Sequence, residues 1–146
     1  MREIHTEVTI AAPAERVWRI LLDFAAYPEW NPLIPEARGA PQVGERLAIR
    51  MAPPGGRAMT IRPRVTLLEP GRLFQWTGHL GIRGLFDGTH TFELEPPHEG
   101  SVRFRHREEF TGFLVPLVWG RLHDSVLRGF EAMNEVLKAR AEAPAF

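Results

Sequence analysis

Turn signals recur so densely through residues 34–112 that they restrict the fold before anything else does. The stretches "GAPQVG", "APPGGRA", "LEPGR", "GHLGIRG" and "PPHEG" cut the chain into short runs, and Gly and Pro in such clusters punctuate strands. Connections this short join only antiparallel neighbours, because a parallel crossover needs about a dozen residues or more. The intervening runs alternate, giving apolar sets Leu47, Ile49, Met51; Ile61, Val65, Leu67; Phe74, Trp76; Phe86, Phe92, Leu94; and Val102, Phe104, Phe110. Each strand therefore has one apolar face, and the whole reads as an antiparallel meander.

The flanks read differently. Residues Glu3 to Ile10 alternate as another strand, after which "AAPAERVWRILLDFAAY" switches to helical spacing through Val17, Ile20, Leu21 and Phe24. Pro13 suits a first helical turn, and Pro28 disfavours a helical Tyr27, so the spacing predicts a helix that stops near Ala26. In "PEWNPLI", Pro28 and Pro32 can each begin a single turn, with Asn31 capping the second. After Pro116, Trp119, Leu122, Val126, Phe130, Met133 and Leu137 recur every three or four residues, which predicts one long helix to about Ala141. It is the one element large enough to cover a curved sheet, and Gly120 and Gly129 would let something approach its backbone closely.

With 146 residues, one core spanning 1–146 is expected. Lys plus Arg and Asp plus Glu balance at 18 each, so no net field draws the chain to nucleic acid or anionic membranes. Cysteine is absent, which excludes disulfides and thiolate metal sites. No window reaches a membrane span of roughly 20 apolar residues, and the expectation is a cytoplasmic protein without stable membrane insertion, monomer or homodimer.

The order of strand, two short helices, meander and long terminal helix, with "AAPAERVWRILLDFAAYPEWNPLI", "FDGTHTFELEP" at 86–96 and "FRHREEFTGFLVP" at 104–116, resembles the helix-grip (SRPBCC) superfamily. That superfamily includes START lipid-transfer domains and birch-pollen-type allergens; the nearest resemblance is to its polyketide cyclase/dehydrase-like branch. The resemblance implies an α+β helix-grip fold. A seven-stranded curved antiparallel sheet would wrap around the terminal helix, with the two short helices between strands one and two and a cavity inside. In such a fold the short helices form a V under the long one, and Phe24 and Trp30 fill the wedge, as core or as ligand contact.

Parity places polar residues on the apolar face. If Glu95 faces Ser101 across "PPHEG", then Phe92 meets Phe104, His90 meets His106, and Gly88 meets Glu108; a slip of two residues keeps the same face inward. Glu93, Arg103, Arg105 and Arg107 then form a salt-bridged exterior. Buried ionisable groups need partners, water or a ligand. His90, His106 and Glu108 thus read as a polar patch satisfying itself, as the polar contacts of a mostly apolar site, or as acid–base catalysts. A metal is not expected, because no ligand pair lies on a helix at useful spacing, and no cofactor is implied. Candidate walls are Phe24, Trp30, Ile49, Met51, Ile61, Trp76, Phe86, Phe92, Phe104, Trp119, Leu127 and Phe130. His123 sits at the edge of the helical stripe. The loops "GHLGIRG" and "APPGGRA" are candidates to cover the cavity mouth.

Three functions follow: binding or transport of a small hydrophobic or amphipathic ligand such as a lipid, polyketide or aromatic metabolite; a cofactor-free cyclase or dehydratase using the cavity His and Glu residues; and a co-chaperone-like protein-binding module. Ligand binding is the leading expectation. Nucleic-acid binding by the arginine stripe is disfavoured by the nil net charge and by Glu93 opposite it.

Overall fold

The computed structural model describes residues 1–144. Strand β1 (Arg2–Ile10) leads into helix α1 (Ala14–Leu22), a 3-10 turn (Phe24–Ala26) and the short helix α2 (Tyr27–Trp30). Strands β2 (Glu36–Arg38), β3 (Ala48–Met51), β4 (Met59–Ile61), β5 (Arg64–Glu69), β6 (Leu73–His79), β7 (Asp87–Leu94) and β8 (Val102–Thr111) follow, then helix α3 (Val115–Glu142).

The strands form two antiparallel sheets, one of five strands in the order β1-β8-β7-β6-β5 and one of three in the order β2-β3-β4. The expected count of seven is corrected to eight. The run from Ile61 to Leu67, read as one strand, is broken at Pro63, which has no N–H for the ladder. The two sheets are still joined across the break, where Leu47 N donates to Pro63 O at 2.8 Å and Val65 N to Glu45 O at 2.9 Å. A bulge at Thr66 shifts the β5–β6 register between Val65 and Leu67. It turns Leu67 outward to 48% exposure, against the strict alternation expected of it.

The β7–β8 hairpin is antiparallel with the expected face inward, but its register is two residues away from the sequence expectation. His90 faces Glu108, Phe92 faces His106 and Leu94 faces Phe104. The reason lies in the turn. Glu99 and Gly100 both take positive φ, 50° and 80°, so the chain reverses tightly between His98 and Ser101, which form a bridge, and not evenly across "PPHEG" with Glu95 opposite Ser101. Outside, Arg107 pairs with Glu93 at 3.5 Å, and Arg103 and Arg105 bridge Glu7 and Glu95, so the arginine stripe is internally neutralised.

The segment after α1 departs from expectation as well. The helix ends at Leu22, and Tyr27 is helical (φ −54°, ψ −39°) despite preceding proline. Packing overrides the local preference. Tyr27 is fully buried, its ring set edge-on between Phe24 at 5.4 Å and Trp30 at 5.3 Å, and its hydroxyl donates to Leu21 O. Tyr27 thus centres the aromatic wedge that Phe24 and Trp30 were expected to fill. Asn31 caps as expected, its Oδ1 accepting from Leu33 N and Ile34 N at 3.0 and 2.8 Å, although no helix follows it.

Helix α3 lies against the concave face. At Gly129 an added Cβ would come within 2.7 Å of Leu33 Cδ1 and 3.3 Å of Pro54 Cδ, so the missing side chain admits the loop 52–58 onto the helix. Ser125 Oγ donates to Pro54 O at 2.7 Å and holds that loop there. Gly120 has nothing comparable beside it.

Tyr27→Phe should unfold at lower urea with an unchanged m-value. Leaving the Leu21 carbonyl unpaired in the core costs about 1–3 kcal/mol.

Candidate active site: a carboxylate and two stacked imidazoles

The inward face of β7 and β8 carries His90, His106 and Glu108, and α3 supplies Asn134. Asn134 Nδ2 donates to Thr6 Oγ1 at 2.8 Å, and that hydroxyl donates to His106 O at 3.0 Å. Asn134 Oδ1 is therefore the atom facing His106 Nδ1, at 3.0 Å, and Nδ1 carries the ring proton. Burial, then the neighbouring His90, drive the His106 pKa well below the ordinary imidazole range, against the Asn134 hydrogen bond. The ring is neutral with a bare Nε2, so His90 Nε2–H donates to it across 2.8 Å.

That fixes the next link. His90 Nδ1 lies 3.3 Å from Glu108 Oε1, so with Nε2 turned inward the other ring nitrogen is presented to the carboxylate at the cavity wall. Ring stacking holds the geometry: His106 lies on Phe130 at 3.8 Å and His90 on Trp76 at 4.7 Å, both nearly parallel. Gly88 leaves room for the carboxylate, since a Cβ there would lie 2.5 Å from Glu108 Oε2.

His90 and Glu108 form part of the wall of a half-open cavity of about 140 Å³. Met51, Ile61, Trp76 and Phe86, all among the sequence candidates, line it too. The other candidates lie elsewhere because the deep half of the space between sheet and helix is filled. Ile49, Phe92, Phe104 and Phe130 are fully buried core, and Phe24 and Trp30 pack around Tyr27. His106 sits behind His90. Trp119 packs on Phe110 at 5.7 Å beneath Arg2, and His123 is half-exposed beside Asp124. Leu127 faces a separate polar groove between β1 and α3.

The lining also includes Leu33, Pro53, Met59, His79, Leu80, Phe110, Leu122 and Val126, which were outside the candidate set. Phe110 shares the parity of His106 and Glu108. Asn134, the other omission, stands four residues after Phe130 and three before Leu137, a polar interruption of an apolar stripe.

Both candidate covering loops reach the rim, through Pro53 and through His79 and Leu80. The second is pinned: His79 Nδ1 lies 2.8 Å from Asp87 Oδ1, and Gly84 N donates to both carboxylate oxygens. Burial pushes the Asp87 pKa up, but the hydrogen bonds of His79 and Gly84 and the charges of His79 and Arg83 together hold it below the ordinary carboxylate value.

A family model described as polyketide cyclase/dehydrase and lipid transport matches residues 1–142. No curated protein matches the chain. Among solved structures, the Zhui aromatase/cyclase of a Streptomyces species aligns with TM-score 0.78 at 18% identity, over 97% of this chain and 93% of that one. A point mutant of Thalictrum flavum norcoclaurine synthase, in complex with a transition-state analogue, aligns with TM-score 0.71 at 16% identity, over 96% and 93%. A Chromobacterium violaceum protein aligns with TM-score 0.71 at 21% identity, over 97% and 98%. At these identities the likeness is one of fold.

The neutral His106 sets a pH dependence. The unfolded ring takes up a proton below about pH 6.5 and the folded ring does not, so the unfolded state binds more protons there and stability falls on acidification. Urea denaturation should show stability level above neutrality and dropping toward pH 5 with a slope approaching about 1.4 kcal/mol per pH unit, absent in His106→Phe. Asp87, whose folded pKa is depressed, loses its contribution only at still lower pH, as pH falls through that folded value. A stability that stays flat from pH 7 to about pH 5 would contradict the assignment.

Proposed function

This chain belongs to the polyketide cyclase/dehydrase and lipid transport family, within the helix-grip superfamily, and from that premise we propose that it binds a compact, mostly apolar molecule carrying one carbonyl or hydroxyl group. The observation that carries this reading is a cavity with apolar walls in which Glu108 and His90, 3.3 Å apart, supply the inner polar contact. Sites of this composition use burial for affinity and a few polar atoms for orientation.

Size restricts the ligand further. About 140 Å³ is close to a cavity that holds one benzene ring, on the order of 150 Å³, and well under the roughly 300–1,000 Å³ of sites for drug-sized molecules. A single ring or short branched chain fits inside. A fused polycyclic ligand must displace the loops at 52–58 and 80–86 or leave most of its length outside.

One observation favours turnover as a second reading. Behind the pair His106 is neutral with its tautomer fixed, so His90 keeps Nε2–H engaged and presents Nδ1 to Glu108. Such a pair can take a proton from the carbon beside a ligand carbonyl and return it to a hydroxyl leaving as water, the balance that dehydration requires.

Differential scanning fluorimetry with para-hydroxyacetophenone tests the binding reading. A ligand at one hundred times its dissociation constant stabilises by about 2.7 kcal/mol, so a rise in Tm of several degrees is expected. Gly88→Ala, whose methyl group pushes the flexible Glu108 carboxylate aside, should melt near the wild-type Tm yet lose most of the rise, as should Glu108→Gln. No shift with this probe or with other one-ring ketones and phenols would refute the proposal; equal shifts in both variants would remove the pair from it.

A further inference from the structure

The rim of the cavity continues into an apolar surface that none of the described residues covers. Ile82 on the loop between β6 and β7 is 74% exposed, and Phe113 and Leu117 at the start of α3 are 83% and 80% exposed. Leu114 and Val118 lie between them at 38% and 40%. The two segments are tied into one surface: Phe113 N donates to Gly84 O at 3.1 Å and Leu114 N to Leu85 O at 3.0 Å. Gly112 makes that approach possible, since a Cβ there would lie 2.4 Å from Leu85 O. Holding these large side chains in water on two coupled segments is unfavourable unless something else buries them.

Charge selects what covers them. The charged residues on segments 80–87 and 112–121 are Arg83, Asp87 and Arg121. Asp87 is engaged by His79 and the Gly84 amide and feels the Arg83 charge at longer range; neither exposed arginine makes an ion pair within 4 Å among the described residues, so the surface carries net positive charge. Arg121 follows Leu117 by one helical turn and so shares its face. Asp124, one turn further along α3, lies beside His123. A two-fold contact between copies of this chain would bring four arginines into one interface, whereas anionic headgroups neutralise both arginines of one copy while acyl chains take the apolar side chains.

We infer that the surface formed by Ile82, Phe113 and Leu117 with Arg83 and Arg121 docks on an anionic lipid bilayer, placing the cavity mouth against the membrane. Leu80 and Phe86 of the cavity wall belong to the first segment and Leu122 directly follows the second, so a ligand dissolved in the bilayer would reach the cavity without crossing water. That last consequence rests on the ligand-binding reading above; the docking itself does not, and is measured without ligand.

Co-sedimentation of the full chain with vesicles of phosphatidylcholine containing about one-third phosphatidylglycerol tests it. Wild type should sediment with these vesicles, less with phosphatidylcholine alone, and less again at high salt. Phe113→Asp and Leu117→Asp, both at solvent-facing positions, should melt as wild type does and lose at least about tenfold in partitioning. Arg83→Glu with Arg121→Glu should abolish the preference for the anionic vesicles. Failure of wild type to sediment with either vesicle, binding unchanged by these substitutions, or a solution dimer that Phe113→Asp converts to monomer would each overturn the inference. A thermal shift with the one-ring probe that survives such a failure would leave the cavity reading standing.

Discussion

A neutral imidazole in the interior is the constraint around which the site is organised. His106 cannot carry charge where it sits, because the sheet and Phe130 exclude water from it. Its two nitrogens must then be one donor and one acceptor, and Asn134, oriented by Thr6, decides which is which. The rest follows by hydrogen-bond direction: His90 must donate inward, and its Nδ1 is left facing Glu108 at the cavity wall. A choice made at the seam between β1 and α3 thus determines what a molecule in the cavity meets on the far side of two rings.

The same packing explains why the cavity is small. The wedge of Phe24, Tyr27 and Trp30 and the ring cluster around Phe92 and His106 fill one end of the space between sheet and helix, and the opening lies beyond them, between the small sheet, the ends of β6, β7 and β8, and the N-terminal part of α3. Broken pairing at Pro63 belongs to this geometry, since it separates the small sheet that carries Met51, Met59 and Ile61 from the large one that carries the polar pair. The cavity is thus lined from both sheets, by Met51, Met59 and Ile61 on the small one and by Trp76, His90, Glu108 and Phe110 on the large one.

Much of this was legible in the sequence, for identifiable reasons. Period-two alternation determined which face of β7 and β8 turns inward, so His90, His106 and Glu108 were placed together although the hairpin register was two residues off; the shift preserves the face. The long helix and the close approach at Gly129 were readable from spacing and from a missing side chain. Pairing details were not. The strand break at Pro63 and the outward turn of Leu67 depend on which neighbour each strand finds, and the helical Tyr27 depends on burial that outweighs the local effect of Pro28. Cavity walls were over-assigned because periodicity marks a residue as interior without separating packed core from open space, and Asn134 was passed over because single residues on a helix stripe carry little signal until the facing histidine is known.

The central claim concerns a proton, and nitrogen-detected NMR of the imidazole side chains reads it directly. His106 should show a protonated Nδ1 and an unprotonated Nε2, unchanged from neutrality down to about pH 5, while His90 shows a protonated Nε2. A His106 protonated at Nε2, or one that becomes an imidazolium near the ordinary histidine pKa of about 6.5, would contradict the account.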